Sequence, residues 1–272
     1  MANRARDGDG GTRPVSGSTR DHYDRLAASY DEIWAAHSEA FNGWMSEHIL
    51  ERLDLRADDR VVDLGGGTGI FSAALATQAH EVVCADPSPE MLAQLPPASG
   101  AVVPVQASAE DVASGRVRLP YDHVDAILIK EALHHVRDRE AVVAGLARLL
   151  APGGRLLVVT LPATISYPLF RRALEVFAER QPDPADIAGA MRAAGLTVEV
   201  TYETYRREFA RDRYVAMVRS RHMSLLSEFD DAELENGIRE IEREHPEEVL
   251  EFDDRFAFVL GRIRDGGDAG RP

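Results

Sequence analysis

Short apolar runs rich in β-branched residues alternate with helix-like segments through most of this chain. Residues 60–64 form the first such run, followed by 82–85, 101–105, 121–129 and 155–159. Runs of this length, bounded by glycine, proline or charged residues, read as strands. Between them apolar positions recur every three or four residues. Ile70, Phe71, Ala74 and Leu75 follow the first run, and a stretch ending Leu146-Ala147-Arg148-Leu149-Leu150 precedes the fifth. That spacing puts one apolar stripe on a helix. Strand and helix in turn imply an α/β domain, and 272 residues are enough to bury a substantial core.

The flanks read differently. Residues 1–18 are rich in glycine, arginine and aspartate with almost nothing to bury, the composition of a disordered leader. Order is expected to begin near Ser18-Thr19, which can cap a helix. Residues 39–53 carry Phe41, Trp44, Met45, Ile49 and Leu50, most of them on one helical face. Late in the chain, residues 203–253 hold two further helical stretches, 212–226 and 231–243. The first and its approach are rich in arginine (Arg207, Arg211, Arg213, Arg219, Arg221), and the second is acidic. Either the opposite charges offset each other while apolar faces cover the core, or an arginine or two meets an acidic substrate group.

The chemistry concentrates where the first strand runs into Asp63-Leu64-Gly65-Gly66-Gly67-Thr68-Gly69 and a helix opens. Glycines let a ligand approach the main chain, and the amides at the helix start face it. A dinucleotide fingerprint would need a third glycine where Ile70 stands, and Asp63 would repel a pyrophosphate. The same carboxylate attracts a ligand carrying an ammonium and a sulfonium. Asp86 ends the second strand, at the distance from the glycines where a carboxylate accepts two ribose hydroxyl hydrogen bonds, although Asp-Pro is also a turn signal.

Asp63-Leu64-Gly65-Gly66-Gly67-Thr68-Gly69 resembles the first motif of class I S-adenosylmethionine-dependent methyltransferases. Further resemblances follow in the family's order. Tyr23-Asp24 through Tyr30-Asp31 is similar to its opening segment, Ala85-Asp86-Pro87-Ser88 through Met91-Leu92 to its second motif, and Leu133-His134-His135-Val136 to the run after its fourth strand. A Pro152-Gly153-Gly154 turn then leads into a fifth strand. These marks cover residues 22–160 and are nearest to those of ubiquinone and menaquinone methyltransferases. The resemblance implies a Rossmann-like sheet of seven strands, the last antiparallel, with the sixth and seventh at residues 196–202 and 256–260. It further implies an N-terminal helical lid at residues 19–56 and a core at 57–205 and 252–264. The helical stretches between the last two strands depart from the family's minimal pattern, a short hairpin, and read as a cap insertion at 206–251 that shapes the acceptor pocket.

By the same resemblance, S-adenosyl-L-methionine is the cofactor and S-adenosyl-L-homocysteine the product. Tyr30, Asp63, Gly65, Gly66, Gly67 and Asp86 would hold it, with Pro87 and Met91 packed on the adenine. Ser108 stands where relatives often show an acid near the adenine amino group, which leaves Ala109 and Glu110 to supply that contact. The backbone carbonyl of Lys130 would take the cofactor's ammonium. His135 follows the fourth strand on the ligand side and titrates near working pH, so it is the candidate base. In some related enzymes a tyrosine of the opening segment works with such a histidine, here Tyr23 or Tyr30. Alternatively, His134 and His135 open a helix with one of them merely buried.

Composition narrows the partners. A net charge of -15 argues against a broad electrostatic grip on nucleic acid or an anionic membrane. The single cysteine, Cys84, suits a reducing compartment, and no apolar run or signal-peptide core marks a membrane route, so a cytoplasmic protein is expected. No metal is expected. Lys130 is the only lysine in the chain; pairing with Glu131 or Asp63, contact with an acidic acceptor, and action as a base are its three possible fates. The expected function is methyl transfer to a small-molecule acceptor, of specialised or quinone type by family resemblance. The alternative is a cofactor-binding protein of the same fold, a cyclase, regulator or partner subunit, that transfers no methyl group.

Overall fold

The computed structural model describes residues 30–96 and 101–263. Helix α1 (Tyr30–Leu53) leads into strand β1 (Arg60–Leu64), whose apolar run ends at the glycines. Helix α2 (Ile70–Leu75) then opens behind Gly69. Strand β2 (Glu81–Asp86), the single turn α3 (Pro89–Leu92), strand β3 (Val102–Gln106) and α4 (Ala109–Ala113) follow. Strand β4 (Val124–Lys130) passes through a 3₁₀ turn at Leu133–His135 to helix α5 (Arg139–Leu149) and strand β5 (Leu150–Thr160). Helices α6 (Arg171–Arg180) and α7 (Pro184–Ala193) precede strand β6 (Thr197–Ala210). Helices α8 (Arg211–Arg219) and α9 (Asp231–Glu244) then link it to strand β7 (Val249–Arg262).

The strands form one sheet in the order β3-β2-β1-β4-β5-β7-β6, with β7 antiparallel to both its neighbours. This is the seven-stranded mixed sheet of the Rossmann-like methyltransferase fold. The order reverses direction between β1 and β4, the crevice where open α/β sheets bind ligands outside the carboxyl ends of their strands. Both faces are covered, so the central strands alternate between two cores. On β4, Ala126 and Leu128 join a cluster with α1, α2 and the late helices, while Ile127 and Ile129 join one with α5 and α7.

The β6–β7 hairpin differs from the sequence reading. Charged positions at 203–210 and 249–255 read as part of a helical connection, yet the ladder runs unbroken from Thr197↔Arg262 to Ala210↔Val249. Pairing of β7 with β5 stops at Thr160↔Ala257, so the outer half of the hairpin projects beyond the sheet. One side of that extension is solvated. The other is packed with rings: Phe252 lies 4.9 Å from Tyr167, 5.7 Å from Tyr214 and 6.0 Å from Phe209, centroid to centroid. The arginines expected to approach a helix divide accordingly. Arg207 lies on β6, buried against Asp254 of β7 with Nε to Oδ2 at 2.9 Å. Arg219 and Arg221 pair with Glu235 and Asp231 at the facing helix α9, as mutual charge compensation requires.

Candidate functional site

At the carboxyl edge of β1, β2 and β4 lies a cavity of about 320 Å³. Its floor is the glycine loop. Gly65 has φ +74°, closed to most side chains, and an added Cβ would sit 2.5 Å from the Cβ of Ala132. Gly66 is pinned from below, since a Cβ there would meet Cys84 Sγ at 2.6 Å and Asp63 Oδ2 at 3.0 Å. The loop is tied to β2 by Gly65 N and Gly66 N, which donate to the Ala85 carbonyl at 2.7 and 3.3 Å.

Asp86 is fixed from both sides. Gly67 N donates to its Oδ2 at 3.0 Å and Ser88 N to its Oδ1 at 2.8 Å. The carboxylate lines the cavity. Asp63 lies deeper, 2% exposed, and accepts from Ser72 Oγ at 2.7 Å. Loss of water pushes its pKa up to about 6, with the Asp86 charge adding to the rise and the Ser72 hydrogen bond and Lys130 opposing it. Beneath the loop, burial pushes the Cys84 thiol up to about 12.

Pro87, Met91 and Ala109 supply an apolar wall, and Ser108 and Glu110 complete that end. The Ser108 side chain is spent on a capping box: its Oγ accepts from Asp111 N at 3.1 Å while Ser108 N donates to Asp111 Oδ2 at 3.1 Å. Opposite, β4 delivers Ile129, Lys130 and Glu131. Glu131 takes φ 52°, a left-handed conformation uncommon outside glycine, and this bend carries Ala132 and His135 along the cavity wall. Its Oε1 accepts from Leu161 N at 2.8 Å, and burial holds its pKa above the usual carboxylate range.

The two histidines part here. His135 lines the cavity; His134 does not, and its ring lies 3.9 Å from its neighbour's. Burial, with help from the adjacent His135 and Arg139, lowers the His134 pKa to about 3, so it stays neutral. Lys130 also departs from expectation. Among the described residues neither Glu131 nor Asp63 comes within ion-pair distance of its Nζ; Glu131 accepts from Leu161 N and Asp63 from Ser72 Oγ.

Of the residues expected to bind the cofactor, Asp63, Gly65, Gly66, Gly67, Asp86, Pro87, Met91, Ser108, Ala109, Glu110 and Lys130 all line this one cavity. Tyr23 lies outside the described residues, and of Tyr30 only its place at the start of α1 is described. Phe71 and Glu131 were not expected in the wall. Phe71 reads as ordinary core on its helical stripe, and nothing local in the sequence marks the backbone bend that brings Glu131 there.

The family description "Methyltransferase domain" matches residues 62–158, the stretch from β1 to β5 that builds this cavity. Over 221 residues the chain is 31% identical to the ubiquinone biosynthesis O-methyltransferase of Xanthomonas oryzae pv. oryzae, an alignment spanning 72% of this chain and 90% of that protein. The chain belongs to the class I S-adenosylmethionine-dependent methyltransferases. Its fold is shared with a protein tied to antibiotic biosynthesis in Anabaena variabilis, at 19% identity and a TM-score of 0.65 over 80% of this chain and 96% of that one. It is also shared with phosphoethanolamine N-methyltransferase 2 of Haemonchus contortus, solved with phosphomonomethylethanolamine and S-adenosylhomocysteine. There the identity is 16% and the TM-score 0.57, over 91% of this chain and 60% of that one.

The enzyme therefore uses S-adenosylmethionine, whose sulfonium supplies the methyl group, and the cavity is chemically suited to it. Asp86 offers two acceptor oxygens for a sugar diol, the wall of Pro87, Met91 and Ala109 suits a flat base, and Asp63 puts negative charge beneath a cationic ligand. Among the described residues no helix is long and apolar enough to cross a membrane, and no group of three or more His, Cys, Asp or Glu side chains is arranged to hold a metal ion.

Proposed function

We propose that this methyltransferase transfers its methyl group to a hydroxyl oxygen of a small, quinone-type aromatic acceptor. The observation that carries the reading is the shared cavity: His135 lines the same cavity as the glycine loop and Asp86, the residues suited to the cofactor. The oxygen acceptor is supported by the 31% identity to an O-methyltransferase of ubiquinone biosynthesis. The His135 imidazole takes the hydroxyl proton as the oxygen attacks, while alignment of acceptor and methyl group provides most of the rate. Tyr23 and Tyr30, on the opening segment and the start of α1, act with it from a lid of residues 19–56. Helices α8 and α9 serve as a cap over the outer hairpin.

The test is to mix the enzyme with S-adenosylmethionine and a panel of catechols, hydroquinones and amines, and to follow S-adenosylhomocysteine and methylated product by mass spectrometry. Methylation of phenolic hydroxyls alone is the expected result; methylation confined to amines would refute it. His135→Ala should lower kcat by about 10²- to 10⁴-fold, the usual contribution of a general base, with S-adenosylhomocysteine affinity retained. A kcat within a factor of three of the parent would remove His135 from the chemistry.

A further inference from the structure

Lys130 is the one lysine or arginine among the described cavity-lining residues, and among the described residues no ion pair answers its charge. Its side chain is half-buried. Its Nζ lies 5.2 Å from the ring centroid of Phe71, 5.8 Å from that of Phe41 and 5.9 Å from that of Phe256. Among the described residues no carboxylate oxygen lies within 4.0 Å of it. The acids around it are committed elsewhere. Glu131 accepts from Leu161 N, Asp63 from Ser72 Oγ, and Asp254 from both Arg207 Nε and the Tyr167 hydroxyl. The Arg207 guanidinium is a further cation acting on the same ammonium, and burial together with it holds the Lys130 pKa below the ordinary lysine value against the pull of Glu131, Asp254 and Asp63.

A buried ammonium is costly unless it is paired and hydrogen-bonded, and aromatic faces at this distance return only part of that cost. The remaining cost falls when an anion enters the cavity. Two candidates exist, the acceptor and the cofactor's own carboxylate. The rings that meet Nζ favour the acceptor. Of the three, Phe71 lines the cavity, whereas Phe41 of α1 and Phe256 of β7 are buried core rings outside its lining. Phe71 sets a flat apolar surface beside the charge in the cavity wall, which matches an aromatic molecule bearing an ionised oxygen.

We propose that Lys130 is the receptor for an anionic oxygen of the methyl acceptor, a phenolate or a ring carboxylate. The proposal rests on the small-aromatic-acceptor reading above and deepens it, since it makes Lys130 a specificity-determining residue. A lysine suits the task because its ammonium is a compact point charge with three rotatable donors.

The test uses enzyme saturated with S-adenosylhomocysteine and three probes of one ring: 4-nitrophenol, 4-nitrobenzoate and the neutral ether 4-nitroanisole. At pH 8 the parent enzyme is expected to bind at least one anionic probe about 10- to 100-fold more tightly than the ether, as for hydrogen bonds to a charged group. Lys130→Met should erase that preference while leaving nitroanisole and S-adenosylhomocysteine affinity within about threefold, and Lys130→Arg should keep part of it. A gain for 4-nitrophenol, with its ionised absorbance spectrum in the complex, identifies a phenolate; a gain for 4-nitrobenzoate identifies a carboxylate handle. If Lys130→Met instead weakens S-adenosylhomocysteine and leaves probe preference intact, the cofactor's carboxylate is the partner and the proposal fails. It also fails, whatever the variants do, if the parent binds both anions no better than the ether. Failure of the methyl-transfer reading is separate: it would appear as no S-adenosylhomocysteine formed from any phenol.

Discussion

At the β1–β4 edge of the sheet, polar groups are held chiefly by the main chain; at the β6–β7 hairpin they are held by one another. Asp86 is fixed by two backbone amides from Gly67 and Ser88, both within twenty residues of it. Arg207 and Asp254 are fixed by each other across a ladder, 47 residues apart in sequence, with the Tyr167 hydroxyl as third member. The first arrangement sets a carboxylate in the cavity lining, where a ligand meets it. The second pairs its charges across the ladder and ties the outer hairpin to the segment after β5 through Tyr167. The same chemical groups thus make a receptor in one place and a clamp in the other, and the difference is whether the backbone or a counter-ion satisfies them.

The clamp should break hardest. Arg207→Met leaves Asp254 buried without its counter-charge, and the loss of one partner of such a pair costs about 3–5 kcal/mol. Urea unfolding of the variant is expected to show that drop, while calorimetry shows S-adenosylhomocysteine affinity changed by less than threefold. A stability loss below 1 kcal/mol would mean that the outer hairpin does not depend on the pair.

Asp63 sharpens the contrast, because it is a buried acid without a counter-ion within ion-pair distance. Its folded pKa, about 6, exceeds the ordinary value of 3.8. Between those values the folded state holds more protons than the unfolded one, so ionising Asp63 removes stability as pH rises through that window. Asp63→Asn should therefore make the ligand-free enzyme more stable at pH 7, by up to about 3 kcal/mol, with the gain vanishing near pH 4. The same variant should bind S-adenosylmethionine more weakly. Unfolding curves at pH 4 and pH 7 that shift equally would contradict this account.

The smallest of the three effects concerns the receptor itself. Asp86→Ala should weaken S-adenosylmethionine by about 1.5–3 kcal/mol, roughly 10- to 150-fold, the range for hydrogen bonds to a charged group. Calorimetry on folded variant protein measures it, and an unchanged affinity would take Asp86 out of the site.

What the sequence made legible divides along the same line. A glycine loop, a strand-ending acid and a helix opening are demanded by backbone geometry over short spans, so Gly65, Gly66, Asp86, Pro87 and Met91 announce themselves in order. The hairpin does not. Arg206, Glu208, Glu251 and Asp253 face solvent on the strands that project past β5, and that density of charge reads as a linker between helices. Arg207 looked like one arginine among several, because its partner is remote in sequence and becomes its neighbour only once the ladder forms. Lys130 was legible as a residue at the ligand edge but not in its pairing, since adjacency to Glu131 suggested an ion pair that the structure does not form among the described residues.

The packing of Gly66 against Cys84 has a practical consequence. The only thiol of the chain lies on β2, one strand in from the β3 edge of the sheet, 0% exposed, with the glycine loop packed against it and its ionisation suppressed by burial. A thiol reagent can reach it only when that part of the sheet opens, so the labelling rate is an intrinsic clock for opening events that needs no engineered probe. Occupancy of the loop by a ligand should slow that clock, which gives a screen for cofactor-site binders in which nothing need be turned over.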